Sequence, residues 1–193
     1  MATRTRATVD DVLRLASEGE RYELVDGELV EMAPTNFEHG DIEWHIAWIV
    51  GTHVKEHSLG KVVVGEVLFQ LDPDGRLARA ADVAFVRRDR LPSTEQATHA
   101  FRGAPDLAVE IISPGDSAEK VLRKIEEWLE HGTEVVLVVY PDSRRIGLWR
   151  RSGGIILHGD QEVDLDPALP GFRCRADDLF PPSLDEGEER QTS

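Results

Sequence analysis

Two segments in this chain have no polar face, and their spacing limits the folds available to it. The first, "DLAVEIISP", runs from Asp106 to Pro114, and the second, "EVVLVVY", from Glu134 to Tyr140. Side chains on a strand alternate faces. Leu107, Val109 and Ile111 therefore share one side, and Ala108, Glu110 and Ile112 the other. Both sides are apolar, which marks a strand covered on both faces. Between the segments lies "EKVLRKIEEWLEHG", in which Val121, Leu122, Ile125, Trp128 and Leu129 form an amphipathic stripe. Asp116 or Ser117 can cap this helix, which runs to His131 and stops at Gly132. A strand, a helix and a strand in this order close as a right-handed crossover and pair the two strands in parallel. The pattern predicts an α+β fold built on a mixed sheet, with helices over both faces.

The flanking sequence adds hairpins at both ends. Thr8 can cap a helix to about Ser17, with Asp11 at the third helical position. In "YELVDGELVEM", two alternating strands flank Asp26-Gly27, a dipeptide that favours a type I′ turn. Asn36 to His57 has the period of a long helix, with Ile42, His45, Ile46, Ile49, Val50 and His53 on its apolar side. Trp44 and Trp48 widen that side beyond one core-facing stripe, which points to a homodimer interface. "KVVVGEVLFQL" reads as one strand, "DPDG" as a turn and "ADVAFVRR" as the next strand. Pro92 to Ala104 reads as loop or short helix. Arg145–Arg151 and Ile155–His158 form a hairpin across "SGG". "DPALPGFRCRADDLFP" is irregular, with Leu169 and Phe172 tucked onto the core. A chain of 193 residues suits one domain, here 1–182, followed by an acidic, disordered tail over 183–193.

Net charge is −15, which opposes nucleic-acid binding at long range. The local basic runs, at Arg87, Arg88 and Arg90 and at Arg144, Arg145, Arg150 and Arg151, read as strand ends and turns. A lone cysteine, Cys174, allows no disulfide within the chain and reads as an ordinary buried or half-buried residue. There is no signal-like N-terminus and no membrane-spanning apolar run, so a cytoplasmic location is expected.

Glu110 is the anomaly. An unpaired carboxylate in an apolar strand costs several kcal/mol or takes up a proton. Asp82 opens its own strand on the same parity as Ala84 and Val86, and Lys124 borders the apolar stripe of the helix that follows Glu110. An aspartate and a glutamate on adjacent strand ends can share Mg²⁺ or Mn²⁺, with lysine stabilising transition-state charge. The plainer reading pairs Glu110 with an arginine or with Lys124, and lets Asp82 cap a turn. Taken alone, Glu23 faces solvent on its hairpin and His39 caps or exposes itself at a helix start. His45 and His53 read as satisfied core histidines.

The arrangement resembles the Uma2-like putative restriction endonuclease family, a branch of the PD-(D/E)XK nuclease superfamily. The resemblance runs from about Thr8 to Pro181. It rests on "YELVDGELVEM", His39 at a long helix, the strand opened by Asp82, "VEIISP", Lys124 with Trp128 four residues on, "HGTEVVLVVYPDSRRI", and the closing "LPGF" and "DLF". It implies a restriction-endonuclease-like core and metal-dependent hydrolysis of phosphodiester bonds, with DNA as partner. Asp82 and Glu110 match the metal-binding acids, and Lys124 matches a lysine moved from the strand to the next helix. Glu23 and His39 match further recurrent polar positions. The superfamily's proline before the aspartate is Ala81 here, its strand lysine is Ile112, and the aromatic after the displaced lysine is Trp128 in place of tyrosine. The alternatives are a catalytically inactive nuclease-fold binding protein and a small-molecule metal-dependent hydrolase.

Overall fold

The structure is a computed structural model and describes residues 6–65 and 67–182. Helix α1 (Val9–Ser17) starts at Thr8, whose amide and hydroxyl both donate to Asp11, at 2.9 and 3.0 Å. Strands β1 (Tyr22–Val25) and β2 (Glu28–Glu31) turn at Asp26 and Gly27, with φ of 53° and 78°. Two consecutive positive φ values are what a type I′ hairpin requires. Helix α2 (Phe37–Glu56) is capped by the Asn36 side chain, which accepts from the His39 amide at 2.8 Å.

The expected single strand over "KVVVGEVLFQL" is in fact two. β3 (Gly60–Val64) and β4 (Leu68–Gln70) lie in different sheets, and the chain breaks between them at Gly65, with φ 79°. A positive φ ends a ladder, and glycine adopts it without steric penalty. The chain returns the same way. β5 (Ala78–Ala80), which sequence reasoning missed, pairs with β4, and β6 (Val83–Arg87) pairs with β3. Ala81 and Asp82 are the bridge between sheets. Asp82 therefore precedes its strand and is not part of it.

The remaining strands are β7 (Phe101–Arg102), β8 (Leu107–Ile111), β9 (Val135–Tyr140), β10 (Arg145–Arg150), β11 (Gly153–His158), β12 (Glu162–Asp164) and β13 (Arg173–Arg175). Helix α3 (Ala118–Glu130) is capped by Ser117 and links β8 to β9. The β10–β11 turn is tighter than expected: Arg150 faces Gly153, so the glycines belong to β11. A Cβ on Gly154 would lie 2.3 Å from the Trp149 ring, so only glycine fits there. The segment expected to be irregular contains β13, paired with β12, and a 3₁₀ turn over Ala176–Leu179. Leu169 and Phe172 are buried, as expected.

The main sheet has six strands in the order β11-β10-β9-β8-β6-β3. β8 and β9 are parallel, with Glu110 opposite Val138, and the other pairings in this sheet are antiparallel. On one face Ile42, Ile46, Val50 and Val54 of α2 pack on Phe85, Leu107 and Leu137, together with Leu165, Leu169 and Leu179. On the other face Ile125 and Trp128 of α3, with Phe69 of β4, cover Ala84, Ala108, Val136 and Val138. Each fully buried aliphatic chain such as Ile46 contributes roughly 1.5–3 kcal/mol relative to exposure. The second sheet, β2-β1-β5-β4-β7, carries α1 through Val9, Val12, Leu24 and Ala78. Among the described residues no helix is long and apolar enough to cross a membrane. The tail over 183–193 lies outside the described residues.

Candidate active site

Glu110 points to the α3 face of the sheet, where two donors hold it. The Trp128 indole N–H donates to its Oε1 at 2.7 Å, and Lys124 Nζ lies 2.8 Å from its Oε2. Lys124 and Trp128 are four residues apart on α3 and so present one face to the strand below. The lysine also lies 3.0 Å from Glu23 Oε1 and donates to the Ala80 carbonyl at 2.9 Å. An ammonium has three donors, and here each has an acceptor.

Glu23 is buried, which corrects the solvent-facing reading of its hairpin. The side chain is enclosed by Arg79 of β5, the strand that was not foreseen, and by Lys124 of α3. Glu23 accepts from the Ala80 amide at 3.0 Å and from Arg79 Nη1 at 2.6 Å. Arg79 reaches Glu127 on its other side at 2.6 Å, and Glu127 in turn accepts from Arg123 at 2.9 Å. Arg79 and Glu127 are members of this buried network that sequence reasoning missed. Glu127 does sit three residues after Lys124, on the face shared with Trp128. Arg79 lies between alanines in "LARA", where a three-residue strand leaves no period to read.

Asp82 joins the cluster from the bridge between sheets. Its amide donates to the Val109 carbonyl at 3.1 Å, and its Oδ2 accepts from the Ile111 amide at 2.6 Å. The side chain thus extends the β6–β8 ladder by one bond and sits beside Glu110. His39, at the start of α2, is buried and places Nε2 3.3 Å from Asp82 Oδ1. That contact is ionic proximity only, because Nε2 makes no aligned hydrogen bond. Its Nδ1 is 3.5 Å from Ser113 Oγ.

The electrostatics follow from this packing. Burial pushes Glu110 up to about 7; Lys124 opposes the shift, while Asp82 and Glu23 add to it. Burial works against the charge on Lys124, but Glu110, Glu23 and Asp82 outweigh it and hold the pKa above its ordinary value. Burial likewise opposes ionisation of Glu23, yet Lys124, Arg79 and the Ala80 amide bring its pKa below the usual range. His39 is raised: burial disfavours its charge, but Asp82 prevails, with smaller help from Glu43 and Asp116. The cluster carries more acid than its buried cations balance, and Glu110 bears the consequence.

All five residues singled out in the sequence, Glu23, His39, Asp82, Glu110 and Lys124, therefore meet around the junction of the two sheets. Beside His39, at the carboxyl ends of β8 and β9, a cleft of about 310 Å³ is lined by Asn36, Glu38, Ser113, Asp116 and Tyr140. Among the described residues no group of three or more His, Cys, Asp or Glu is arranged to hold a metal ion. Asp82 and Glu110 still fit one in donor type and charge. Mg²⁺ is satisfied by one or two carboxylates plus waters, and the repulsion that Asp82 and Glu23 add to the burial of Glu110 is what a cation would relieve.

Other candidates are structural. His45 and His53 are half-buried and bond the Asp178 and Pro170 carbonyls, each at 3.0 Å. Cys174 is half-buried, its thiol pushed up to about 12 by burial, with Asp178 adding to the shift. Part of each basic run is used internally. Arg87 and Arg90 clamp the buried Asp106 at 2.9 and 2.8 Å. Arg144 lies 4.7 Å over the Phe180 ring, and Arg150 donates to the Asp164 carbonyl at 2.5 Å.

No curated protein sequence matches the chain. Its structure is similar to the crystal structure of a putative nuclease belonging to DUF820 from Anabaena variabilis. The TM-score is 0.77 at 22% identity, over 90% of this chain and 97% of that one. This likeness is one of fold, and the fold is restriction-endonuclease-like. The family described as "Uma2: Putative restriction endonuclease" matches residues 9–177, and the chain belongs to that family.

Proposed function

We propose that this chain is a metal-dependent endonuclease that hydrolyses phosphodiester bonds in DNA, with Mg²⁺ or Mn²⁺ held by Asp82 and Glu110. One observation carries the reading: two neighbouring acids, one of them lifted to about 7 by burial, stand beside a buried lysine that lies 2.8 Å from the lifted one. When bound, a divalent cation at these carboxylates supplies charge neutralisation at a phosphate oxygen and a more acidic water.

The side chains divide the remaining work. Lys124, its pKa held up by three acids, keeps its proton at neutral pH. It is therefore a fixed positive charge for the non-bridging oxygens in the transition state and not a general base. Trp128 orients Glu110 through the indole N–H, and Glu23 fixes Lys124. His39 sits between Asp82 and the cleft, and Asp82 holds its pKa above the ordinary value against the effect of burial. The cleft that His39 lines is the route by which a substrate backbone would approach Asp82.

A second reading is a nuclease-fold binding protein without activity. It is favoured by the internal partners of both acids: Lys124 and Trp128 occupy Glu110, while the Ile111 amide and His39 occupy Asp82. A small-molecule hydrolase is the third, since a cleft of about 310 Å³ suits a small ligand. Supercoiled, linear and single-stranded DNA, each incubated with the chain and Mg²⁺ or Mn²⁺, separate the three. Metal-dependent cleavage lost in Asp82→Ala and Glu110→Ala supports the nuclease. Metal-dependent protection against thermal unfolding without cleavage of any DNA supports the small-molecule enzyme. Neither effect leaves the binding protein.

A further inference from the structure

Helix α2 has a second face that nothing among the described residues covers. At 100° per residue, Phe37, Asp41, Trp44, Trp48, Gly51 and Lys55 share one stripe, opposite the buried Ile42, Ile46, Val50 and Val54. Phe37, Trp44 and Trp48 are 77%, 64% and 57% exposed. Trp44 and Trp48 stack with ring planes 2° apart and centroids 6.2 Å apart, so the two indoles form one exposed apolar cluster. Three large aromatic chains on one stripe are more than a scattered surface residue explains.

Two further observations bear on what covers this face. Gly51 lies on the stripe inside a helix, where glycine is less stable than alanine. A Cβ at Gly51 would meet nothing within 4 Å, so packing among the described residues does not call for glycine. A notch is useful only to something docked from outside. The stripe is also acidic at its N-terminal end, at Asp41, and basic at its C-terminal end, at Lys55. A helix with that polarity is complementary to itself when turned antiparallel.

We propose that α2 docks on α2 of a second copy of this chain about a two-fold axis near Trp48. In that register Trp48 meets its own copy, Trp44 covers Gly51 of the partner, and Asp41 faces Lys55 of the partner. A two-fold contact repeats each of these pairs, so two Trp44–Gly51 contacts and two Asp41–Lys55 pairs form together. A rise of about 1.5 Å per residue puts the two His39 positions roughly 27 Å apart along the axes. The two clefts then lie at opposite ends of one helix pair.

Sedimentation of the full chain across the micromolar range tests this. Wild type is expected to dimerise, and Trp48→Glu to weaken the dimer by roughly thirtyfold or more. Gly51→Ala should weaken it while raising the thermal midpoint of the monomer. Asp41→Lys and Lys55→Asp should each weaken the dimer, and the double variant should restore it. That rescue keeps the test open even if a tryptophan variant folds poorly. The proposal is overturned by a wild type that stays monomeric, or by a dimer that survives Trp48→Glu. Charge reversals that do not rescue each other overturn it too. So does a dimer that is lost in Ile155→Lys, on the exposed edge strand β11, but kept in the Trp48 variant.

Discussion

Lys124 Nζ and Glu110 Oε2 lie 2.8 Å apart inside the protein, and the pair is not balanced. The lysine is shared with Glu23, at 3.0 Å, and Asp82 stands close enough to oppose ionisation of Glu110. Among the described residues, Glu110 thus has to share its only cationic partner with Glu23, while Asp82 repels it. That imbalance sets the pH behaviour, the response to mutation and the response to metal.

The first expectation concerns pH. Burial lifts Glu110 from an ordinary 4.5 to about 7. Between those values the folded protein holds a proton that the unfolded chain has lost. Stability therefore falls as pH rises from about 4.5 through 7 and levels off above, by on the order of 3 kcal/mol. His39, also raised, contributes stability that is present below 6.5 and lost as pH rises through its folded value, so it adds to the upper end of the fall. Glu23, which is lowered, contributes above 4.5 and loses that contribution only at more acid pH. Urea unfolding of wild type and Glu110→Gln between pH 4.5 and 8 should show a slope in the first that is largely removed in the second. Parallel curves would assign the slope to another group.

Removing either partner of the ion pair should have unequal effects. Lys124→Ala leaves Glu110 and Glu23 buried without their shared cation, which costs about 3–5 kcal/mol. Glu110→Ala leaves Lys124 with Glu23 and the Ala80 carbonyl, and strands only the Trp128 indole N–H, at about 1–3 kcal/mol. Relief of the Glu110–Asp82 repulsion offsets part of that loss. Chemical denaturation at pH 8 is expected to rank Lys124→Ala as clearly less stable than Glu110→Ala. The reverse order would mean that Glu110 is the structural keystone and that its strained ionisation does not exist.

Arg79 should matter as much as Lys124, although it touches none of the residues proposed to bind metal. It bridges Glu23 and Glu127 with contacts of 2.6 Å to each, and Glu23 holds Lys124 in place. Arg79→Met is expected to lose about 3–5 kcal/mol of stability. Arg79→Lys should recover only part, because a point charge cannot span both acids as a guanidinium fork does. Thermal midpoints of the two variants measure this directly.

Much of this arrangement could be read from the sequence, and the missing parts have a common cause. The crossover from β8 to β9 was legible because both strands are long and apolar on both faces, and the helix between them has a clear stripe. The face assignment of Glu110 followed from simple alternation. What failed were the places where the chain changes sheets. Gly65 splits one apolar run into β3 and β4, and Ala81-Asp82 joins β5 to β6. A three-residue strand has no usable period, so β5 was invisible and Arg79 with it. Without β5 and its Arg79, nothing faced Glu23, and it looked exposed. The link between Glu23 and Lys124 depends on contacts across about 100 positions, which local patterns do not encode.

The last expectation joins pH to metal. A carboxylate must be ionised to bind Mg²⁺ or Mn²⁺, so binding at a protonated Glu110 has to release a proton. At pH 6, below the value of about 7, most of the folded protein carries that proton. Calorimetric titration with Mn²⁺ at pH 6, in two buffers of different ionisation enthalpy, should then report release of nearly one proton per ion. At pH 8.5 the release should approach zero and the affinity should be higher. In the thermal unfolding curve, saturating Mn²⁺ should remove most of the pH dependence assigned to Glu110, because the cation replaces the proton. In Glu110→Gln both the proton release and the pH effect should disappear. If Mn²⁺ binds at pH 6 with no proton released, the ion sits elsewhere. If it does not bind at either pH, the Lys124–Glu110 pair is complete without it, and the cluster is a buried ion network in a nuclease fold that does no hydrolysis.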